Sequence, residues 1–245
     1  MKQDMPIERL DYLPGLKRQI YQRSDIFSYS MDAILLAKFV TLPKREESRI
    51  IDLCTGTGAV PLVMSLRTKA PIDAVEIQPL LASLSMKSMK HNNIHNQVNV
   101  IEADIRKLKE KVTYESYHVV TCNPPYFSVT AEKGKNLNEH LSIARHEVMC
   151  TLEDVIRAAS NLLMAKGIMA LVHRPERLVE IVTLMKQYRL EPKRLQYVHP
   201  NKGKEANMVL IEAVKEGRPS VKTLPPWIVY GEGHAYTKEF KEHYE

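Results

Sequence analysis

Four consecutive residues, Asn123, Pro124, Pro125 and Tyr126, have the side chains and backbone restrictions that suit the binding of a planar amine. They follow the apolar run 117–122, which is typical of a buried strand. Two prolines end both strand and helix and hold the backbone in an extended turn. The turn therefore brings an amide, a carbonyl group and an aromatic ring together at the carboxyl end of a strand, where open α/β sheets bind their ligands.

These groups favour the activation of a conjugated NH2 group. The nitrogen of an adenine amine or a glutamine amide is a weak nucleophile because its lone pair is delocalised. If the Asn123 side-chain oxygen and the Pro124 carbonyl each accept one N–H, the nitrogen moves toward sp3 geometry and its lone pair points outward. Tyr126 can stack on a base, which contributes about 1–3 kcal/mol. A proline-rich turn with a helix-capping asparagine is the alternative interpretation.

An upstream segment has the pattern of a nucleotide-binding loop. Residues 49–54 predict a short strand, and Thr-Gly-Thr-Gly at 55–58 predicts a tight turn. Residues 59–66 then predict a helix with Pro61 in its first turn. Glycines in such a turn let the backbone approach a ligand closely. Pro61 stands where the dinucleotide fingerprint has its third glycine, which disfavours NAD and FAD.

The next two predicted strands each end at an acidic residue. The strand 71–76 ends in Glu76, 18 residues after Gly58, where a carboxylate can accept hydrogen bonds from both ribose hydroxyls of an adenosyl group. The strand 98–103 is followed by Asp104. Three successive strands that end in a glycine-rich turn, Glu76 and Asp104 indicate a ligand site along one edge of a sheet.

A helix is predicted over residues 31–40, with Asp32 in its first turn. We interpret Asp32 as complementing the helix dipole, with ligand contact as the alternative. Helix and strand signals alternate along the rest of the chain, ending in a helix over 152–166 capped by Thr151, a helix from Pro175 and closing strands at 193–198 and 208–214.

This order predicts an α/β fold, a doubly wound seven-stranded and mostly parallel sheet with an antiparallel edge strand. The length of 245 residues allows a single domain over 1–245. We expect residues 1–48 to form an N-terminal helical extension packed on it.

Composition excludes several classes of protein. Hydrophobic residues make up 44% and charged residues 26%, which are ordinary globular values. The chain has no apolar run long enough to span a membrane, and residues 1–4 lack the apolar core of a signal peptide, so a cytoplasmic protein is expected. The three cysteines, Cys54, Cys122 and Cys150, support neither a disulfide framework nor a CxxC zinc site. We expect reduced, mostly buried thiols and no metal.

The net charge of +6 is concentrated near the end of the chain. Residues 186–222 contain nine lysines and arginines against four glutamates. Such a one-sided basic segment is the expected footprint of phosphate-backbone contact. A solvated charged face is an equal alternative.

Taken in order, these motifs resemble a known set. The segment Asp52-Leu-Cys-Thr-Gly-Thr-Gly58, then Glu76, Asp104 and residues 123–126, resembles the motifs of the class I S-adenosylmethionine-dependent methyltransferases that methylate amino groups. The segments Phe-Ser-Tyr-Ser-Met-Asp-Ala-Ile-Leu-Leu-Ala-Lys-Phe from Phe27, Ala-Arg-His-Glu at 144–147 and Lys-Glu-Ala-Asn at 204–207 are similar to the bacterial valine-tRNA adenine-N6-methyltransferase family. The likeness covers about residues 20 to 215.

The resemblance implies S-adenosylmethionine as the cofactor. Gly56 and Gly58 would lie against its methionyl part, and Asp52 would orient the loop or reach its amino group. Glu76 would hold the ribose and Asp104 the adenine amine. One departure is Cys54, which replaces the usual first glycine of the loop. The implied cofactor-binding residues are Asp52, Cys54, Thr55, Gly56, Gly58, Glu76, Ile77, Asp104, Ile105 and Asn123.

The resemblance also implies a reaction at N6 of an unpaired adenine in RNA, with a tRNA anticodon loop as the expected substrate and Asn123, Pro124, Pro125 and Tyr126 as the catalytic residues. The expected RNA-binding residues are Lys133, Lys135, Arg145, His146, Lys193, Arg194, Lys202 and Lys204. Three alternatives remain open. They are glutamine-N5 methylation of a protein such as a release factor, adenine methylation of DNA, and a catalytically silent RNA-binding or scaffold protein.

Overall fold

The computed structural model describes residues 7–26, 28–126 and 150–244. Its strands are β1 (Glu8–Tyr12), β2 (Gln19–Arg23), β3 (Ile50–Leu53), β4 (Ile72–Glu76), β5 (Val98–Glu102), β6 (Tyr117–Cys122), β7 (Leu163–His173), β8 (Leu190–Asn201), β9 (Met208–Lys215), β10 (Lys222–Thr223) and β11 (Trp227–Tyr230). Its helices are α1 (Met31–Phe39), α2 (Ala59–Met64), α3 (Pro79–His91), α4 (Leu152–Leu162), α5 (Leu178–Gln187) and α6 (Lys238–Tyr244). Short 3-10 turns occupy Ile105–Glu110, Pro175–Arg177 and Glu232–His234.

The main sheet has the strand order β5-β4-β3-β6-β7-β9-β8-β10, with β11 also paired to β8. Strands β3 to β7 pair in parallel, whereas β9 is antiparallel to both of its neighbours, β7 and β8. This confirms the predicted doubly wound α/β fold. The described sheet has nine strands rather than seven, because the short strands β10 and β11 add to β8. The antiparallel strand therefore lies inside the sheet, between β7 and β8.

Alternation along each strand builds a core on each face of the sheet. In β3, where all four residues are buried, Ile50 packs with α1 and α2, and Ile51 packs with α4 and α5 on the other face. A strand that is buried on both faces reads as a continuous apolar run, which is why β3 and β6 could be predicted from sequence.

The register of the parallel strands sets the position of the loops that follow them. Leu53 at the end of β3 is paired with Val75 in β4 and with Cys122 at the end of β6. The loop after β3, the last residue of β4 and the turn after β6 consequently lie side by side at one edge of the sheet.

The expected helical N-terminal extension is only partly correct. Strands β1 and β2 form an antiparallel hairpin, and α1 is the one helix among the described residues before position 48. The hairpin packs on α3, where the Tyr21 N–H donates to Ser88 Oγ at 2.9 Å and the Gln19 N–H donates to Asn92 Oδ1 at 3.1 Å. That the whole chain is a single domain stays a prediction.

Helix α4 ends earlier than predicted. It begins as expected with a capping box between Thr151 and Asp154, but it stops at Leu162 instead of residue 166. Leu163 already pairs with Tyr117 in β6, and the register then shifts before β7 continues. The apolar pattern near Leu162 suits a helix equally well, and only the pairing with β6 decides against it.

Among the described residues, no helix is both long and apolar enough to cross a membrane.

Candidate active site

A cavity of about 490 Å³ lies at the edge of the sheet where the carboxyl ends of β3, β4 and β6 meet. The first turn of α1, the loop after β3 and the turn after β6 form its walls. The predicted site residues that line it are Cys54, Thr55, Gly56, Glu76, Ile77, Asp104, Ile105, Asn123, Pro124, Pro125 and Tyr126. Asp52 and Gly58 are not part of the cavity wall. Predicted cofactor and catalytic residues therefore face one common space.

Glu76 fixes the loops on both sides of it. One carboxylate oxygen accepts the Gly56 N–H at 2.8 Å, and the other accepts the Gln78 N–H at 2.9 Å. The side chain is buried, and burial raises the pKa of Glu76, while the backbone N–H donors act in the opposite direction. A carboxylate held by backbone donors at a cavity wall is a fixed acceptor for further hydroxyl groups.

The glycine-rich loop leaves room for a ligand at Gly56. Gly56 has a φ of +58°, and a Cβ added there would meet nothing within 4 Å. Cys54 has a φ of +55°, so it adopts the left-handed conformation that a glycine would adopt more easily. The open space beside Gly56 and the adjacent Glu76 carboxylate fit an adenosyl group, and Cys54 keeps the loop conformation despite its side chain.

Gly58 lies where a side chain would clash with its neighbours, whereas Gly56 faces open space, so alanine variants at the two positions are expected to have different effects. Its φ is +91°, and an added Cβ would lie 2.5 Å from Met89 Cε and 2.6 Å from Ser85 Oγ. Gly58→Ala is therefore expected to lower the free energy of unfolding by about 2–4 kcal/mol through overpacking and backbone strain. Gly56→Ala is expected to lose only about 1–2 kcal/mol from strain, but to weaken cofactor binding more. Urea unfolding measures the loss of stability, and calorimetric titration with S-adenosylmethionine measures the loss of cofactor affinity. Equal losses of stability in the two variants would contradict these different roles of Gly56 and Gly58.

Asp104 is less available to bind a ligand than its position after a strand suggests. It accepts hydrogen bonds from the Arg106 N–H at 2.9 Å and from Arg106 Nη2 at 2.6 Å. The Arg106 guanidinium lowers the pKa of Asp104 and keeps it charged. Asp104 lines the cavity, but it must share its oxygens with Arg106 if it binds an adenine amine.

Asp52 is buried behind the loop, between two strands. It is 1% exposed and accepts a hydrogen bond from Thr121 Oγ1 of β6 at 2.6 Å. This contact fixes Asp52 against β6, and both of its expected roles, orienting the loop or reaching the cofactor's amino group, stay predictions. Burial raises the pKa of Asp52 to about 7, although the Thr121 hydrogen bond acts in the opposite direction.

The raised pKa predicts a pH-dependent gain in stability from Asp52→Asn. The unfolded chain releases the Asp52 proton near pH 4, whereas the folded chain keeps it to about pH 7. Stability is therefore lost as pH rises between these values, by at most about 4 kcal/mol. Asparagine still accepts from Thr121 and has no charge to bury. The difference in unfolding free energy between variant and wild type should be small at pH 4.5 and should grow in favour of the variant up to pH 8; a difference independent of pH would contradict this.

Tyr126 is held by an acidic residue that the sequence had assigned to the helix dipole. The Tyr126 hydroxyl lies 2.6 Å from Asp32 Oδ2 and 2.6 Å from Asn123 Oδ1. Asp32 and Asn123 both line the cavity. Burial, followed by the charge of Asp32, raises the pKa of Tyr126, so this hydroxyl keeps its proton. The structure thus supports the alternative role of Asp32 at the ligand site.

The last residue of β7, His173, and two arginines that follow the strand lie around Tyr126. The Arg174 guanidinium lies over the Tyr126 ring, 5.2 Å from its centroid, and donates to the Asn207 carbonyl at 2.7 Å. Arg177 Nη1 donates to the Tyr126 carbonyl at 3.4 Å. The buried His173 ring is 5.1 Å from the Tyr126 ring. Burial and then the charge of Arg177 lower the pKa of His173 to about 4, so it is neutral at neutral pH.

The sequence interpretation missed Asp32, His173, Arg174 and Arg177 as residues around Tyr126. A usable signal existed for Arg174, because it directly follows the apolar run that forms the end of β7, and ligands bind at the ends of such strands. No local signal connects Asp32 with Tyr126, which lie 94 positions apart.

The three cysteines meet next to the cavity. All are free thiols; Cys122 is buried at the end of β6, while Cys54 and Cys150 line the cavity. A hydrogen bond with Cys122 and burial together raise the pKa of Cys54, and burial raises that of Cys122. These two thiols are therefore neutral at physiological pH. In the part of the chain that the structure describes, no cluster of three or more His, Cys, Asp or Glu could hold a metal ion.

The predicted RNA-binding residues fall into three groups. Arg194 pairs with Glu212 at 2.6 Å and stacks on Phe39, and Lys193 donates to the Arg218 carbonyl at 2.9 Å, so both have structural partners. Lys202 and Lys204 are exposed in the loop after β8. Lys133, Lys135, Arg145 and His146 lie outside the described residues.

The partners of Arg194 place it away from the cavity. Its guanidinium donates to Thr41 Oγ1, just beyond the end of α1, whereas Asp32 is in the first turn of that helix. A helix of this length spans about 13 Å. Other basic residues of the 186–222 segment are also paired: Lys186 with Glu191, Arg189 with Glu216 and Lys215 with Glu115. Four of the nine basic residues in this segment are therefore engaged in ion pairs.

Comparison with known proteins gives a consistent result. The profile of the methyltransferase small domain family matches residues 17–189. A tRNA1(Val) (adenine(37)-N6)-methyltransferase of Photobacterium profundum is 27% identical over 199 residues, covering 80% of this chain and 80% of the relative. A protein of the same name from Aeromonas hydrophila is 30% identical over 185 residues, covering 74% and 73%.

Among solved structures, a predicted O-methyltransferase from Agrobacterium tumefaciens superimposes with a TM-score of 0.69 at 26% identity. The match covers 86% of this chain and 94% of that chain. The profile match extends from the β1–β2 hairpin to the end of α5 and so includes the whole described cavity. The chain belongs to the methyltransferase small domain family, and it is related to bacterial proteins named tRNA1(Val) (adenine(37)-N6)-methyltransferases.

Proposed function

We propose that this methyltransferase transfers a methyl group from S-adenosylmethionine to the exocyclic N6 of an unpaired adenine in tRNA, in the anticodon loop. One observation carries the proposal. The amine-binding residues Asn123, Pro124 and Tyr126 line the same cavity as the loop that Glu76 anchors. An acceptor set for an NH2 group thus faces the expected position of an adenosyl cofactor.

The chain's own residues supply binding and orientation. Gly56 and Glu76 hold the cofactor, which when bound provides an electrophilic methyl group attached to sulfur. Asn123 Oδ1 and the Pro124 carbonyl accept the two N–H groups of the adenine amine, so that the nitrogen lone pair points toward the cofactor. A positioned pair of acceptors lowers the barrier without a charged general base, since the proton can leave after the new bond has formed.

The described surface around the cavity is suited to a nucleic acid. Arg174 lines the cavity. The exposed Lys202 and Lys204 follow β8, whose carboxyl end points the same way as that of β7 because both are antiparallel to β9. These cations can contact phosphates near a base that enters the cavity. An anticodon loop offers an unpaired base without the cost of melting a duplex.

The names of the relatives support tRNA and adenine 37 as the target. A tRNA substrate would place the reaction in the cytoplasm. Glutamine-N5 methylation of a protein uses a similar turn, because an amide NH2 can be activated in the same way. Arg174, which lines the cavity, and the exposed Lys202 and Lys204 favour RNA over that alternative.

The test incubates the purified full chain with radiolabelled S-adenosylmethionine and, in separate reactions, bacterial tRNA, ribosomal RNA, duplex DNA and a release-factor protein. A valine tRNA transcript and the same transcript with guanine in place of adenine 37 form a matched pair. We expect labelled N6-methyladenosine from tRNA and from the first transcript only. Label on glutamine, or on DNA alone, would overturn the proposal.

A further inference from the structure

The Tyr126 hydroxyl lies within hydrogen-bonding distance of two acceptors but can donate to only one of them. Asp32 Oδ2 and Asn123 Oδ1 each lie 2.6 Å from it, but the hydroxyl has a single proton. Hydrogen bonds to an ionised carboxylate are about twice as strong as those to a neutral carbonyl. The proton therefore goes to Asp32, and the contact between the tyrosine oxygen and the asparagine must be satisfied in another way.

A flip of the Asn123 amide, which exchanges the positions of Oδ1 and Nδ2, can satisfy this contact. The NH2 and oxygen ends of an amide occupy nearly the same space. With NH2 toward Tyr126, the amide donates to the tyrosine oxygen, and Oδ1 moves to the end of the amide that points away from Tyr126. Because Asn123 lines the cavity, this orientation leaves Oδ1 unoccupied and available to a substrate amine.

The surroundings restrict Tyr126 to this arrangement. Arg174 covers its ring at 5.2 Å and Arg177 binds its carbonyl at 3.4 Å, so the ring has little freedom to move away. Asp32 is in the first turn of the nine-residue helix α1, whose dipole stabilises a carboxylate there. The acceptor to which the Tyr126 hydroxyl donates its proton then determines the orientation of the Asn123 amide.

We propose that Asp32 is a positioning residue: by accepting the Tyr126 proton it makes Asn123 present its side-chain oxygen, rather than its NH2 group, to the substrate amine. The inference rests on the proposed function, since it assigns Asn123 the part of an acceptor. Without the carboxylate charge, the Tyr126 proton no longer prefers position 32, and the hydroxyl competes with the substrate amine for Asn123 Oδ1.

The test is a double-mutant cycle of Asp32→Asn and Tyr126→Phe, measured with S-adenosylmethionine and the valine tRNA transcript. Asp32→Asn has nearly the same shape as the native side chain, and thermal unfolding verifies that it folds. We expect kcat to fall about 10- to 100-fold in Asp32→Asn, with the Kd for S-adenosylmethionine changed less than about threefold. In the Tyr126→Phe background, Asp32→Asn should have no further effect on kcat.

Asp73→Asn is the matched control. Asp73 accepts a hydrogen bond from a tyrosine hydroxyl, that of Tyr117, at the same distance of 2.6 Å, but Tyr117 begins β6 at the opposite edge of the sheet. Its kcat should equal that of the wild type.

Three outcomes would overturn the inference. A raised Kd for S-adenosylmethionine with unchanged kcat would make Asp32 a cofactor ligand. Equal losses of kcat in the native and Tyr126→Phe backgrounds would show that Asp32 acts independently of Tyr126. An unchanged kcat in Asp32→Asn would show that the carboxylate is not needed. The wild type distinguishes failure of this inference from failure of the proposed function. If the proposed function is wrong, the wild type forms no N6-methyladenosine in tRNA, and the role of Asp32 is then wrong as well.

Discussion

Replacing Asn123 by alanine is expected to lower kcat about 100-fold or more while the fold and cofactor binding persist. The variant loses one of the two acceptors proposed to localise the lone pair of the substrate nitrogen, and loss of one preorganised hydrogen-bonding group at a reacting centre typically costs 100- to 1,000-fold. The side chain is half-buried at the end of β6, where its truncation removes little packing. Single-turnover methylation of the valine tRNA transcript measures the chemical step directly, and the Kd for S-adenosylmethionine should change less than about fivefold.

Asn99→Ala is the matched control for this prediction. Asn99 also donates from its amide to a neighbouring side chain, Asp73, at 2.9 Å, but it is exposed on β5 and does not line the cavity. Its activity should remain that of the wild type. Full activity of Asn123→Ala would show that the amine is activated by other groups, and a large loss in Asn99→Ala would indicate that loss of stability explains both results.

Local patterns in the sequence were sufficient to predict most of the fold. The strands β3 and β6 are continuous apolar runs, and α3 begins at a proline, so each has a signal within its own residues. The strands β10 and β11 have only two and four residues, and they exist because β8 offers an edge to pair with. Short elements of this kind depend on tertiary contacts that no local window contains.

The site was predictable to the extent that it follows strand ends. Glu76 and Asn123 could be placed at one edge because the strands before them are parallel and in register. The neighbours of Tyr126 could not, because Asp32 reaches it from α1 and Arg174 from the end of β7. In the same way, a count of charges could not distinguish Arg194, which is paired with Glu212, from a cation available to RNA.

The cysteines show how register changes the meaning of isolated residues. Because Cys54, Cys122 and Cys150 are widely spaced in sequence, they predicted reduced, mostly buried thiols without a disulfide or zinc site. Because Leu53 pairs with Cys122, the next residue, Cys54, comes to lie against β6 at the cavity. Cys54 has a positive φ, a conformation that glycine would adopt more easily, and its partly buried side chain packs against the apolar core on this face of the sheet.

Replacing Glu76 by alanine is expected to raise the Kd for S-adenosylmethionine about 100-fold or more. Two separate losses combine in this variant. The loops lose the carboxylate that accepts the Gly56 and Gln78 N–H groups, and the ribose loses its proposed acceptor. Each hydrogen bond to a charged group contributes about 1.5–3 kcal/mol, so the loss of even one exceeds a tenfold change in affinity. Calorimetric titration measures the Kd, and kcat at saturating cofactor should fall much less than in Asn123→Ala.

The variants Glu76→Gln and Glu102→Ala separate the contributions to that loss. Glutamine keeps one acceptor oxygen but turns an NH2 group toward the second backbone N–H, so its affinity should lie between those of the wild type and Glu76→Ala. Glu102 ends β5 directly beside Glu76 and is exposed, so its removal tests the effect of negative charge near the same edge without touching the loops. A wild-type Kd for Glu102→Ala is expected, because the Glu76 carboxylate acts through specific hydrogen bonds to Gly56 and Gln78. Equal weakening in both alanine variants would instead assign the effect to the general field at the carboxyl edge of the sheet.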